Sequence, residues 1–143
     1  MGVTAKSLRL GDVKVGDELP ELVIDVTATL VVAGALASRD FTPVHHDKTH
    51  AQSQGLSDVI MNTMTTNGLL SRYLTDWAGP DAAIRAVALK LGVPNVPGER
   101  LKLGGRVTAK DDRAGVVTVA VAGRNSWGDH VSATARVALP KED

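Results

Sequence analysis

Residues 38–47 read Ser38-Arg39-Asp40-Phe41-Thr42-Pro43-Val44-His45-His46-Asp47. A carboxylate and an imidazole stand five residues apart, with an aromatic residue and a proline between them. Proline fixes its own φ and pushes Thr42 toward extended geometry, so no smooth helix runs through the segment and the chain must turn between Asp40 and His45. A turned segment can aim two titratable groups at one point, which is what holding and splitting a water molecule requires.

Upstream of this turn, Leu22-Val23-Ile24-Asp25-Val26 has the composition of a strand. Thr27 follows as an N-cap, its hydroxyl placed to accept from the free amides of a new turn. Residues 28–38 are apolar at helical spacing (Leu30, Val31, Ala35, Leu36), which predicts a short buried helix ending at the motif. Residues 1–20 are mixed and turn-rich, with Gly11-Asp12 and Gly16-Asp17-Glu18-Leu19-Pro20. They are expected to form a leader on the surface, with the domain proper spanning 21–143.

Downstream, Met61, Met64, Leu69, Leu70, Tyr73, Leu74 and Trp77 cluster on one side of a helix over 61–77. Gly79-Pro80 ends it, and Gly68 inside it points to close packing against a sheet. After residue 82 the period changes to two. Val87, Leu89 and Leu91 alternate with polar or small residues, as do Val131, Ala133, Ala135, Val137 and Leu139. Between them lie Arg100–Lys110 and Val116–Ala122, joined by Asp111-Asp112-Arg113-Ala114-Gly115, and a last hairpin turns near Asn125–Asp129. Runs of strands after a helix indicate an antiparallel α+β domain. The expected architecture is a single domain with a sheet of about five strands wrapped around one long central helix.

At 143 residues with 43% hydrophobic content, the chain can bury one real core. It has no cysteine, which excludes a disulfide scaffold and thiolate chemistry. Its 16 basic residues balance 16 acidic ones, which argues against nucleic acid or an anionic membrane as partner. No run approaches the roughly 20 apolar residues that span a bilayer, and the N-terminus lacks a hydrophobic signal core. Met1-Gly2 with Lys6-Ser7 fits a myristoylation pattern, but that pattern is too permissive to be read as an anchor. A cytoplasmic location is expected.

The motif resembles the signature of the MaoC-like, or R-specific enoyl-CoA hydratase, branch of the hot-dog superfamily, which runs Ser-Gly-Asp-x-Asn-Pro-(aliphatic)-His-x-Asp. The similarity extends from about Leu22 to Leu139. Arg39-Asp40-Phe41 with Val44-His45-His46-Asp47, Thr75-Asp76-Trp77-Ala78-Gly79-Pro80, Leu89-Lys90-Leu91-Gly92-Val93-Pro94 and Gly123-Arg124-Asn125 with Gly128-Asp129-His130-Val131 resemble a narrower group. These are the small MaoC subunits of actinobacterial hydratases acting on steroid side-chain enoyl-CoA thioesters, which work with a larger MaoC-containing chain. Two residues depart from the signature: Arg39 replaces a glycine and Thr42 an asparagine. At the start of the central helix, Asn62-Thr63 stands where most members carry His-Gly.

The resemblance implies a catalytic subunit that adds water across a 2-enoyl-CoA thioester. Asp40 and His45 would be the catalytic residues. The backbone N–H of Thr63, with Asn62 beside it, would face the thioester oxygen, and Ser71 would support the histidine. It implies coenzyme A thioester as substrate, no other cofactor and no metal, and either the larger partner chain or a homodimer. Two other roles remain open at this point: a 3-hydroxyacyl-thioester dehydratase of fatty-acid synthesis, and a non-catalytic assembly subunit. A thioesterase fits less well, because this carboxylate–imidazole spacing suits water addition better than acyl cleavage. His46, Asp47 and His50 invite a metal reading through the i, i+4 histidines, but lack a second ligand cluster and are read as a solvated loop. His130 is read as structural, and Arg100, Lys102, Arg106 and Lys110 as the wet face of a strand that offers one or two contacts to coenzyme A phosphates.

Overall fold

The computed structural model describes residues 6–142. The Met1-Gly2 pattern and the first five residues of the expected leader lie outside the described residues. In order, the elements are β1 (Glu18–Asp25), α1 (Ala28–Ala37), α2 (Lys48–Ser53), α3 (Thr63–Ala78), β2 (Ala83–Leu91), β3 (Arg100–Asp111), β4 (Val116–Asn125) and β5 (Gly128–Ala138). The strands form one sheet in the order β1-β3-β4-β5-β2, with every neighbouring pair antiparallel.

Alternation along the strands decides which face meets α3. On β4, Val117, Val119, Val121 and Gly123 are buried while Ala120, Ala122 and Arg124 are exposed. On β5, Val131, Ala133, Ala135 and Val137 are buried against exposed Ser132, Thr134 and Arg136. The register sets Val119 opposite Ala135 and Val121 opposite Ala133, so the apolar halves coincide. Against that face α3 lays Thr66, Leu70, Tyr73, Leu74 and Ala78. Gly79 then ends the helix at φ +90°, a conformation that costs glycine nothing. This is the hot-dog arrangement, one long helix held in a five-stranded sheet.

Four expectations need correction. The boundary at residue 20 cuts through β1, and the described part of the segment before it does not lie as a leader on the surface: Leu10, Val13 and Leu19 belong to the core. The Leu8 amide donates to the Ala78 carbonyl and the Leu10 amide to that of Pro140, which ties the segment down. Leu36 and Met64, expected in helix cores, are 50% and 58% exposed. Gly68 is exposed and nothing approaches within 4 Å of where its Cβ would lie. The close crossing is instead at Gly34 of α1, where a Cβ would run into the Thr65 side chain of α3. Helix α2, six residues long, is too short to show a period in sequence; Asp47 caps it by accepting from the His50 amide at 2.9 Å.

Among the described residues, no helix is long and apolar enough to cross a membrane.

Candidate active site

The end of α1 builds the position of Asp40. Ser38 is the C-cap, and Arg39 follows at φ +57°. The Arg39 amide donates to the Leu36 carbonyl at 3.0 Å and the Asp40 amide to that of Ala35 at 2.9 Å. These two bonds are the Schellman closure of a helix, with arginine where glycine is usual. A left-handed residue with a Cβ costs about 1–2 kcal/mol. The reversal swings Asp40 off the helix and back toward α3.

Thr42 and Pro43 then set His45. The Thr42 hydroxyl donates to Asp40 Oδ1 at 2.7 Å, and its amide to the same oxygen at 3.3 Å. Pro43 opens a single 3-10 turn over Pro43–His45. His45 is 9% exposed, and its Nδ1 lies 2.6 Å from the Ile60 carbonyl. A carbonyl only accepts, so Nδ1 carries the hydrogen and Nε2 is the nitrogen free to take or give a proton. Nε2 lies 3.2 Å from Asp40 Oδ2. The expected convergence of the two side chains is therefore present.

Asn62 joins this pair to the central helix. Its Oδ1 accepts from the Thr65 amide at 2.9 Å and the Thr65 hydroxyl at 2.6 Å, capping α3. Its Nδ2 donates to Ser38 Oγ at 2.8 Å and to Asp40 Oδ2 at 3.1 Å. Hydrogen bonds from the Thr42 hydroxyl and then Asn62, with a smaller contribution from His45, hold the Asp40 carboxyl below its ordinary range, against the opposing effect of burial. Asp40 is thus a carboxylate at neutral pH, with His45 Nε2 beside it.

The other expected residues divide. Asn62 was expected beside the substrate, but it is 3% exposed and both ends of its amide are used inside the protein. Its Nδ2 bond holds the Asp40 carboxyl against the start of α3. Thr63 is exposed at the first position of α3, where no earlier helix carbonyl reaches its amide and the helix dipole is positive. Ser71 lies eight residues further along α3, about 12 Å by helical rise. Among the described residues, its hydroxyl bonds to none of Asp40, His45 and Asn62, so direct support of His45 is not seen. Sequence reasoning assigned no role to Ser38 or to the Ile60 carbonyl. Ser38 stood inside the motif but looked like any helix-end serine, and a backbone carbonyl has no sequence signal.

His46 precedes α2 while His50 lies within it, so the two do not share one helical face. Among the described residues, no group of three or more His, Cys, Asp or Glu side chains is arranged to hold a metal ion. His130 is buried, with Nδ1 2.7 Å from the Val93 carbonyl and Nε2 2.9 Å from the Thr66 hydroxyl. A trough of about 720 Å³ floored by Gly104, Ala120, Ala122 and Ser132 lies on the outer face of the sheet and includes none of the site residues. The large apolar side chains Leu36, Phe41 and Met64, next in sequence to the site, are instead 50–63% exposed.

The family model described as MaoC like domain matches residues 15–126. The beta subunit of 3-oxo-4,17-pregnadiene-20-carboxyl-CoA hydratase from Mycobacterium tuberculosis is 47% identical over 125 residues, covering 87% of this chain and 95% of that protein. A chain in the crystal structure of the ChsH1-ChsH2 complex from Mycobacterium tuberculosis superimposes with a TM-score of 0.85 at 47% identity, covering 88% of this chain and 98% of that one. An (R)-hydratase from A. caviae involved in PHA biosynthesis superimposes with a TM-score of 0.83 at 25% identity, over 90% of this chain and 98% of the other.

Proposed function

The chain belongs to the MaoC-like domain family, and we propose that within it this protein is the catalytic subunit of an enoyl-CoA hydratase. The observation that carries this reading is the 3.2 Å approach of Asp40 Oδ2 to His45 Nε2, with Nδ1 held by the Ile60 carbonyl. A water hydrogen-bonded to this pair gives up a proton to it as the oxygen attacks C3 of a 2-enoyl thioester. The electron pair moves through C2 to the thioester oxygen, and the pair returns a proton to C2. The Thr63 amide at the positive end of α3 faces the developing oxyanion; loss of one such donor costs roughly 10²–10³ in rate. These are acid–base steps, so the proposal calls on no metal or redox group.

The 47% identity to a subunit named for a pregnadiene carboxyl-CoA supports a bulky, steroid-derived acyl chain. The likeness to a chain of a two-component complex supports a larger MaoC-containing partner. Exposed Leu36, Phe41 and Met64 suit an acyl pocket that such a partner completes. We place the protein in the cytoplasm, where acyl-CoA thioesters are handled.

The test is to co-purify the chain with its partner and follow loss of the enoyl absorbance with 2-enoyl thioesters of coenzyme A and of acyl-carrier protein. Hydration of the coenzyme A thioester is expected. Preference for the carrier-protein thioester would replace this reading with a fatty-acid dehydratase, and release of free coenzyme A without hydration with a thioesterase.

A further inference from the structure

Resting on the hydratase reading, we propose that Arg39 is a substrate-binding residue whose guanidinium takes a phosphate of the thioester's coenzyme A moiety. Arg39 occupies the turn position at φ +57° where glycine fits without steric cost, directly before Asp40. A strained residue at a functional site calls for a reason in its side chain. That reason is not inside the protein: the described residues offer the guanidinium no ion pair or hydrogen bond, and Asp40 is held by Thr42, Asn62 and His45 instead.

The other cations of residues 26–80 are spoken for. Lys48 pairs with Asp58 at 3.3 Å and Arg72 with Asp76 at 3.4 Å. The β3 cations named above as possible phosphate contacts are poorer candidates. Arg100 and Arg106 pair with Asp25 and Glu18, each at 3.2 Å, and Lys110 with Asp112 at 3.4 Å. Arg100 and Lys102 alternate with buried Leu101 and Leu103, so they stand on the sheet face turned away from the helices. The chain's charges balance, so attraction of a polyanionic substrate has to be local. A guanidinium fork matches phosphate oxygens in geometry as well as in charge.

The experiment compares Arg39→Gly and Arg39→Lys with wild type, each purified with the partner chain. The readout is kcat/KM for an enoyl thioester of coenzyme A relative to the same acyl group on pantetheine, which carries no phosphate. Arg39→Gly is expected to melt no lower than wild type and to reduce that ratio about ten-fold through KM, the size of one charge-assisted contact. Arg39→Lys is expected to fall between. An unchanged ratio, or an equal loss on both thioesters, overturns the proposal. Loss of the partner chain from Arg39→Gly on gel filtration also overturns it, assigning the arginine to the interface. Calorimetric titration with free coenzyme A reads the same contact without turnover, and Arg39→Gly should bind about ten-fold more weakly. Wild type that binds coenzyme A but hydrates no thioester would sink the hydratase reading alone; Arg39 is then judged by this binding ratio.

Discussion

Asn62 donates through Nδ2 to Asp40 Oδ2 at 3.1 Å while its Oδ1 caps the central helix. One amide thereby fixes the carboxylate relative to the helix start whose amides would receive the thioester oxygen. The same Asp40 oxygen faces His45 Nε2, so any movement of Asn62 is felt by both members of the pair.

Two substitutions separate these duties. Asn62→Ser keeps a capping oxygen but is too short to reach Asp40. It should melt close to wild type and lose turnover. Asn62→Ala removes both contacts and should lose about 1 kcal/mol more stability than Asn62→Ser. Thermal melts with parallel rate measurements check this; a fully active Asn62→Ser would remove Asn62 from the machinery.

Asp40→Asn and His45→Ala should each fold and assemble normally and lose hydration by roughly 10²–10⁴. Retention of more than about a tenth of wild-type turnover in either variant would end the catalytic assignment, because general acid–base catalysis is worth more than that factor.

Two groups, one stabilised as the anion and one as the neutral ring, give the same sign in stability. Asp40 is held below its ordinary 3.8, so its contribution is fully present above that value and is lost as pH falls through the lower folded value. Burial pushes His130 below its ordinary 6.5, partly offset by its bond to the Val93 carbonyl. The unfolded chain therefore binds the His130 proton first, and stability should fall as pH drops below 6.5. Urea unfolding at several pH values should show a flatter slope between pH 6.5 and 5 for His130→Gln than for wild type. Equal slopes would mean that His130 does not titrate on unfolding.

A pair of glycines should respond in opposite directions. Gly68 is exposed on α3 with open space around it, so Gly68→Ala should stabilise by about 1 kcal/mol through helix propensity. Gly34→Ala gains the same propensity but drives a methyl into Thr65, whose hydroxyl is bonded to Asn62 Oδ1. It should destabilise and, by shifting Asn62, lower activity as well. Chemical denaturation of the two variants decides; a stabilised Gly34→Ala would show that the α1–α3 crossing can relax.

The sequence by itself determined most of the elements and the convergence of Asp40 with His45. Period-two alternation on β4 and β5, the Thr27 cap and the Pro43 turn are local properties, written within a few residues of where they act. The Asp40–His45 spacing was legible for the same reason: both side chains belong to one short turn. What only the tertiary structure decided are relationships between distant segments. The helix crossing fell at Gly34 rather than Gly68, because packing depends on which faces meet and not on which residue is small. Leu10 and Val13 entered the core because their segment is tied to Ala78 and Pro140 by backbone bonds, partners about 70 and 130 residues away in the chain. Ile60 fixes the His45 tautomer, and Asn62, 22 residues from Asp40 in sequence, grips its carboxylate. Hydrogen bonds of this kind require two backbones to be placed independently, and that placement is set by burial of the whole core, not by any stretch of chain short enough to show a pattern.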